Sequence, residues 1–245
     1  MYESELRKEL TFAGKRLMAE KLVHSNLGTI SACLNREKGR YLVKPGPMDY
    51  EGMGPDEFIE VGIDGAPFDK TNDPPSLNWL AHRASYETRP DIGAVIHAHP
   101  NFIVAITSQK NIKFDYFSTS ITLASHLSLK MIPLISEEAV WLYKPTELNS
   151  CGAVPVVEDL PPEKLAEAAR KMMLLGNGFV IRNHGIMTVG KNLREALALV
   201  IEMECQAKIF ATIVAMGGSP IYREPSRVAS ESKNMPPWFT KPFQP

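Results

Sequence analysis

The chain has 245 residues, of which 44% are hydrophobic and 22% are charged, a composition typical of a globular protein that excludes a disordered one. The 27 basic and 28 acidic side chains nearly cancel, so no net charge favours nucleic acid or an anionic membrane as a partner. The charged N-terminus lacks the apolar core of a signal peptide, and no stretch of 18 apolar residues predicts a membrane span. Three widely spaced cysteines argue against a disulfide framework. We therefore expect a cytoplasmic protein.

The first half of the chain predicts helices and short strands in loose alternation. Leucines at helical spacing among charged residues indicate an amphipathic first helix, and short apolar or β-branched segments between turn residues indicate strands. In chain order, the predicted elements are a helix over Glu3–Val23, strands over Thr29–Leu34, Arg40–Val43 and Phe58–Ile63, a helix over Leu77–Thr88, a strand over Ile92–His97, and a helix that begins at Pro100.

Residues 112–160 mix apolar segments with prolines and give only weak strand predictions, near Phe114–Phe117 and Lys130–Ile135. The pattern beyond them is clearer, and it predicts a helix over Pro161–Leu175, a hairpin of strands over Gly178–Arg182 and Gly185–Val189, and a long helix over Asn192–Met216. The hairpin interrupts a pure βαβ pattern, so we predict one α/β domain over residues 1–216, with a mixed sheet covered by helices. Residues 217–245 predict an extended C-terminal tail on a surface or against a neighbouring subunit.

Three histidines stand where a metal ion could be bound. His97 and His99 are separated by one residue on a predicted strand, so both side chains project to the same face. Alone, this pair favours exposed or hydrogen-bonded strand-end histidines over a metal site. His184 lies where another strand meets a turn, beside Gly185, which permits close backbone approach. Three protein ligands with one position left open for substrate or water are the pattern of a catalytic metal site.

Three landmarks in a fixed order carry a resemblance to a known family. They are the segments Pro75–Trp79, Arg89–Pro100 and Asn183–Ala196. Through them the chain resembles the class II aldolase/adducin family, from the first helix to about residue 216. The resemblance implies a three-layer α/β/α sandwich with a central mixed, mainly antiparallel sheet, assembled as a homotetramer. It also implies that His97, His99 and His184 hold a divalent metal.

The resemblance further implies what that metal does. The metal coordinates the carbonyl and neighbouring hydroxyl oxygens of a small-molecule substrate. As a Lewis acid, it stabilises the enolate formed when a carbon–carbon bond breaks. Zn²⁺ is the metal expected first, with Mn²⁺ or Co²⁺ as alternatives, because three imidazoles suit Zn²⁺ and Mn²⁺ alike. The expected activity is that of a metal-dependent lyase of the aldolase or decarboxylase type.

Asn78 is the most informative departure from the family pattern. It stands where the family's aldolases have glutamate and its epimerases aspartate, and an amide cannot serve as a general base. Asn78 is alternatively a helix-start residue in an inactive descendant. Tyr222 resembles a C-terminal tyrosine that some relatives use as a proton donor from an adjacent subunit, or is a packed surface aromatic. Possible replacement acids, each more often a solvated or capping carboxylate, are Asp73, Glu87 and Asp115.

The family's phosphate-binding turns also look altered. Their counterparts are Gly28–Thr29, Gly46–Pro47 and Ser76–Leu77. Pro47 has no N–H and Leu77 has no hydroxyl, so two potential donors to an anion are lost. The remaining candidate substrate-binding residues are Gly28, Thr29, Gly46 and Ser76. A carboxylate-bearing substrate, which needs fewer donors, is therefore favoured over a sugar phosphate.

Three functional hypotheses follow. The first is a metal-dependent carbon–carbon lyase that decarboxylates a hydroxy, keto or aromatic acid or cleaves an aldol, with a slight preference for decarboxylation because Asn78 cannot supply a base. The second is a sugar-phosphate aldolase or epimerase, which meets the same difficulty at Asn78. The third is a non-catalytic, adducin-like oligomeric scaffold. Such scaffolds have lost the metal histidines, whereas all three are present here.

Overall fold

The protein is described here from a computed structural model, which covers residues 3–68, 73–109, 130–132, 134–149, 152–231 and 233. The helices are α1 (Glu3–Ala19), α2 (Trp79–Thr88), α3 (Asn101–Thr107), α4 (Glu137–Tyr143), α5 (Pro162–Met172), α6 (Leu193–Ala215) and α7 (Pro225–Glu231), with a 3-10 turn over Pro55–Glu57. The strands are β1 (Thr29–Asn35), β2 (Arg40–Val43), β3 (Ile59–Gly62), β4 (Ala94–Ala98), β5 (Lys130–Ile132), β6 (Val154–Val157), β7 (Gly178–Ile181) and β8 (Gly185–Gly190).

The described strands form one mixed sheet in the order β3-β2-β1-β4-β8-β7-β6-β5, in which β6 and β7 are parallel and the other neighbours antiparallel. Successive residues of β4 face opposite sides of the sheet: Ile96 packs in the core formed with α1, α3, α4 and α6, whereas Val95 packs in the core formed with α2 and α5. Helices thus cover both faces, and the predicted three-layer α/β/α sandwich is confirmed.

The strand directions gather several chain segments at one end of the sheet. β4, β6 and β7 all run towards this end, β2 also ends there, and β1 and β8 begin there. We call it the histidine end, because His97 lies near the end of β4 and His184 in the turn between β7 and β8. β5 runs antiparallel to β6, so the residues that follow β5 lie at the opposite end.

The structure agrees with the predicted elements outside residues 112–160 to within a few residues at their ends. In that region the sequence missed α4 and β6, and β5 covers the first part of the predicted strand over Lys130–Ile135. The predicted strand over Phe114–Phe117 lies outside the described residues. Within the described ranges, no helix is long and apolar enough to cross a membrane.

The prediction of a wholly extended tail is wrong, because the tail contains α7. Val228 of α7 is buried, and Gly152 makes room for it: a Cβ at Gly152 would lie 2.6 Å from Val228 Cγ1. Arg223 anchors the approach to α7, since its N–H donates to the Leu134 carbonyl oxygen at 3.0 Å. A seven-residue helix with one deeply buried apolar side chain is too short for hydrophobic periodicity to reveal.

Candidate metal centre

The three predicted metal ligands converge at the histidine end. His97 is fully buried in β4, His99 follows that strand, and His184 lies in the turn between β7 and β8. The Nε2 atom of His97 is 3.0 Å from Nε2 of His99 and 3.3 Å from Nε2 of His184. The three imidazoles can each offer one ligand atom, with all these atoms within 4.8 Å of one another.

Two local features shape the turn that carries His184. A Cβ at Gly185 would lie 2.1 Å from the carbonyl oxygen of Ala98, so only glycine allows β8 to begin so close to the end of β4. Asn183 adopts a left-handed backbone conformation (φ +56°), which asparagine tolerates better than most residues. Its N–H donates to Thr107 Oγ1 at 3.1 Å, and its side-chain oxygen accepts a hydrogen bond from Ser108 Oγ. The end of α3 therefore braces this turn.

Hydrogen bonds on the far side of the rings fix two of the tautomers. His97 Nδ1 lies 3.2 Å from the carbonyl oxygen of Ile186, and His184 Nδ1 lies 2.7 Å from a carboxylate oxygen of Asp159. Both partners are acceptors, so Nδ1 is the donor atom in each ring, and in a neutral ring Nε2 then carries the lone pair. Two such lone pairs would face each other across 3.3 Å. One proton on His99 Nε2 could satisfy one of these nitrogens but not both.

The chemistry of this donor set fits a divalent cation. Tetrahedral Zn²⁺ with Zn–N bonds of about 2.0–2.1 Å separates two ligand nitrogens by about 3.3–3.4 Å, close to the 3.0 and 3.3 Å in the cluster. Burial, followed by the neighbouring imidazoles of His99 and His184, lowers the pKa of His97 well below its ordinary value. Burial and His184 lower the pKa of His99 to about 4. These two ligands are consequently neutral at pH 7, the form that binds metals.

The candidate substrate-binding residues lie beside the cluster. Thr29 pairs with His97 across β1 and β4, and its hydroxyl donates to Ser76 Oγ at 2.6 Å. Gly28 has a φ of +78°, and a Cβ there would lie 2.8 Å from the carbonyl oxygen of His97. The Gly46 N–H donates to the carbonyl oxygen of Pro74 at 3.0 Å. The structure thus brings the four residues together. The Thr29 hydroxyl and the Gly46 N–H, however, already donate hydrogen bonds to other groups of the protein. That they bind substrate stays a prediction.

Lys44 is a buried residue of this region that the sequence analysis missed. Its ammonium group donates to the carbonyl oxygens of Asn26 at 2.9 Å and Pro45 at 3.0 Å, and lies 5.2 Å from the centre of the Tyr50 ring. Lys44 therefore ties the loop before Gly28 to the loop that contains Gly46. Burial lowers the pKa of Lys44 to about 8. A single lysine after a strand carries no sequence pattern that indicates such a role.

Asn78 lies at the start of α2, next to the candidate substrate-binding residues. Its N–H is 3.4 Å from Ser76 Oγ, and its carbonyl oxygen accepts hydrogen bonds from the N–H groups of Ala81 and His82, both at 3.1 Å. The backbone thus has the helix-start role that the sequence offered as an alternative, and the catalytic role stays a prediction.

Of the possible replacement acids, Glu87 forms ion pairs with Arg83 and Arg170. Asp115 lies outside the described residues.

Tyr222 is not brought to the histidine cluster of its own subunit. The next residue, Arg223, is bonded to the backbone at Leu134, just after β5. β5 is the edge strand, separated from β4 by three strands, and the chain leaves it at the end opposite the histidines. A contribution of Tyr222 to this cluster would therefore require a neighbouring copy of the chain.

Asp159 is the second residue that the sequence analysis missed. It follows β6, whose carboxyl end lies beside that of the parallel strand β7. Carboxylates that follow a strand at the same edge as a histidine are a usable signal, but only once the strand has been recognised. The sequence analysis did not recognise β6, so it could not use this signal to find Asp159.

Comparison with known proteins decides the family. The family model for the Class II Aldolase and Adducin N-terminal domain matches residues 8–211. The chain belongs to this family. The resemblance inferred from the sequence landmarks is thereby confirmed, and the family model covers most of the described fold, from α1 to α6.

Relatives in this family have several activities. The chain is 23% identical over 211 residues to a 5-deoxy-D-ribulose 1-phosphate aldolase of Bacillus thuringiensis serovar kurstaki, with 86% of each chain covered. It is 29% identical over 212 residues to the L-ribulose-5-phosphate 4-epimerase UlaF of Salmonella paratyphi C, covering 84% of this chain and 83% of the epimerase. A solved L-fuculose 1-phosphate aldolase superposes with a TM-score of 0.76 at 23% identity, covering 96% and 97% of the two chains. That structural likeness shows a shared fold.

Proposed function

We propose that this family member is a divalent-metal-dependent carbon–carbon lyase that acts on a small, oxygen-rich acid. The observation that carries the proposal is the convergence of the three histidine Nε2 atoms, with those of His97 and His184 3.3 Å apart and the Nδ1 atoms of both rings facing oxygen acceptors. Without a cation, opposed lone pairs would repel, and the fully buried ring of His97 requires a partner for its Nε2 atom. Zn²⁺ is the first candidate, with Mn²⁺ and Co²⁺ as alternatives.

Different residues of this chain would hold the cation and orient the substrate. His97, His99 and His184 would hold the cation and leave part of its coordination open. A bound divalent cation supplies Lewis-acid stabilisation of the negative charge that develops on a substrate oxygen as the bond breaks. Thr29 and Ser76, which lie beside His97 through the β1–β4 pairing, would orient the remainder of the substrate.

Asn78 supports decarboxylation over aldol cleavage. Loss of CO₂ leaves the bonding electrons on the remaining carbon framework, and it needs an electron acceptor and later a proton donor, but no base to begin. Aldol cleavage requires a group that removes the hydroxyl proton, and the amide of Asn78 has no basic atom in water. The substrate class we favour is therefore a hydroxy, keto or aromatic acid.

A sugar-phosphate aldolase or epimerase is the second candidate, since the named relatives act on phosphorylated ketoses. The variant Asn78→Glu distinguishes the two. If the chain is a sugar-phosphate aldolase that has lost its general base, a carboxylate at position 78 should produce cleavage of sugar phosphates. If the chain acts on another substrate, Asn78→Glu should bind metal and still leave sugar phosphates intact, and this is the outcome we expect.

The deciding experiment is the metal content of purified protein. We expect close to one divalent ion per chain in the wild type and none in His97→Ala. The matched control is His24→Ala, an exposed histidine outside the cluster whose ring lies 3.3 Å from Asn101 Oδ1. Wild-type protein that holds no metal and takes up none on titration would remove the lyase proposal and favour an adducin-like scaffold. Loaded protein should then be assayed for CO₂ release from hydroxy and keto acids.

A further inference from the structure

We propose that Asp159 is a positioning residue for the metal centre, which holds the ring of His184 in place and thereby sets the affinity for the cation. This inference rests on the proposed function, because it concerns the same site. Asp159 Oδ1 accepts a hydrogen bond from His184 Nδ1 at 2.7 Å, while Nε2 of the same ring lies 3.3 Å from His97 Nε2. The carboxylate thus lies behind the ring, on the side away from the other ligands.

The sheet topology explains why a carboxylate reaches this place. β6 and β7 are parallel, with Val157 opposite Ile181, so their carboxyl ends emerge side by side. The Arg182 N–H donates to the carbonyl oxygen of Val157 at 2.8 Å and extends this pairing by one residue. Asp159 is two residues beyond Val157 and His184 three beyond Ile181, which brings the two side chains together above the strand ends.

His184 needs such a partner more than His97 does. His97 is fully buried within β4, and its Nδ1 faces a backbone carbonyl oxygen, that of Ile186, which no substitution removes. His184 lies in a turn with 32% of its side chain exposed, so fewer neighbours restrict rotation of its ring. The contact with Asp159 is therefore the interaction that selects the Nδ1–H tautomer and directs the Nε2 lone pair towards the cluster.

The charge of Asp159 adds to the effect of its position. A carboxylate that accepts a hydrogen bond from Nδ1–H makes the imidazole a stronger electron donor at Nε2. Imidazole ligands carry no negative charge, so the three histidines alone would leave the charge of the cation uncompensated. Asp159 places one negative charge against a ligand and restores part of that compensation, without itself being a ligand.

The test compares three variants in the full-length protein. Asp159→Ala removes both the hydrogen bond and the charge, whereas Asp159→Asn removes the charge but keeps an oxygen that can accept a hydrogen bond from Nδ1–H. The matched control is Glu158→Gln, on the same loop and 62% exposed, whose carboxylate pairs with Arg182 instead of a histidine. The readouts are the Zn²⁺ dissociation constant from competition with a chelator, the melting temperature without metal, and the Nδ1–H signal of His184 in ¹⁵N-labelled protein.

We expect Asp159→Ala to raise the Zn²⁺ dissociation constant by about 10–100-fold, Asp159→Asn to raise it less, and Glu158→Gln to leave it unchanged. The Nδ1–H signal of His184 should disappear in Asp159→Ala alone, with the metal-free melting temperature unaltered. Asp159→Ala with the wild-type dissociation constant would overturn the inference, as would an equal weakening in Glu158→Gln. If wild-type protein bound no metal, the proposed function itself would fall. If metal binding were lost in His97→Ala but unchanged in Asp159→Ala, the proposed function would stand and only the positioning role of Asp159 would be overturned.

Discussion

The histidine cluster and the neighbouring candidate substrate site lie at the same end of the sheet, yet they satisfy their polar groups in opposite ways. In the cluster, the Nδ1 atoms of His97 and His184 face oxygen acceptors of the protein, and the Nε2 atoms of the rings converge. In the substrate site, the Thr29 hydroxyl donates to Ser76 and the Gly46 N–H donates to Pro74. The histidine cluster therefore has ligand atoms available for a cation, whereas the polar groups of the candidate substrate site are largely bonded within the protein.

This difference indicates which ligand each group of residues can accept. Three imidazoles with converging Nε2 atoms are an arrangement that can bind a divalent cation. Donors already engaged within the protein can bind an anion only by giving up those bonds. The absence of an N–H at Pro47 and of a hydroxyl at Leu77 points the same way. Cation binding should therefore be strong and phosphate binding weak.

The largest expected effect is stabilisation by metal. Zn²⁺ at 1,000 times its dissociation constant should stabilise the wild-type fold by about 4 kcal/mol, because only the folded state assembles the three ligands. His184→Ala should abolish this gain. Ser76→Ala, on the substrate side, should retain it. Thermal unfolding with and without Zn²⁺, before and after chelator treatment, measures all three proteins. Loss of the gain in Ser76→Ala would show that the two groups of residues form one functional unit, contrary to the comparison.

The second prediction concerns Lys44, which joins the two loops of the substrate site. Its pKa is about 8 in the folded protein against an ordinary value of 10.5. Between these values the unfolded chain binds more protons, so the free energy of unfolding should rise as the pH increases from 8 to 10.5, by up to about 3 kcal/mol. Urea unfolding across this pH range is the measurement.

Lys44→Met provides the control for that titration. It removes the buried ammonium group, so the rise in stability between pH 8 and 10.5 should be smaller than in the wild type. Metal affinity at pH 7 should stay the same in Lys44→Met, because Lys44 contacts the substrate-site loops and not the histidines. Equal pH slopes in the two proteins would contradict the assignment of the shift to Lys44.

The sequence predicted the histidine cluster from the spacing of His97 and His99, from the place of His184 at a strand-to-turn junction, and from the family resemblance. Strand alternation places His97 and His99 on one face, and Gly185 marks the close approach that brings in His184. Asp159 depends on recognising β6, which contains Pro155 and packs against a three-residue edge strand. Proline in a strand argues against a sheet interior, so this position could not be read from pattern alone.

The remaining surprises depend on long-range packing. Lys44 is buried because carbonyl oxygens from two separate loops converge on its ammonium group, and no local pattern encodes that convergence. α7 exists because Val228 packs over Gly152, more than seventy residues earlier in the chain. Helix and strand periodicity therefore predicted an α/β domain with a mixed sheet covered by helices, and the family resemblance predicted the three layers and the metal ligands. Tertiary contacts determined the partners that surround those ligands.

The smallest expected effect is that of Leu77→Ser, which restores a hydroxyl to the substrate site. The Leu77 side chain is 80% exposed, so the free energy of unfolding should change by less than about 0.5 kcal/mol. One added hydrogen bond is worth about 1 kcal/mol, so the affinity for inorganic phosphate should rise by about fivefold, with the Zn²⁺ dissociation constant unchanged. Calorimetric titration of wild type and variant with phosphate measures this. Tight phosphate binding by the wild type, unaltered in Leu77→Ser, would mean that the substrate side remains as open to its ligand as the histidine cluster is to a cation.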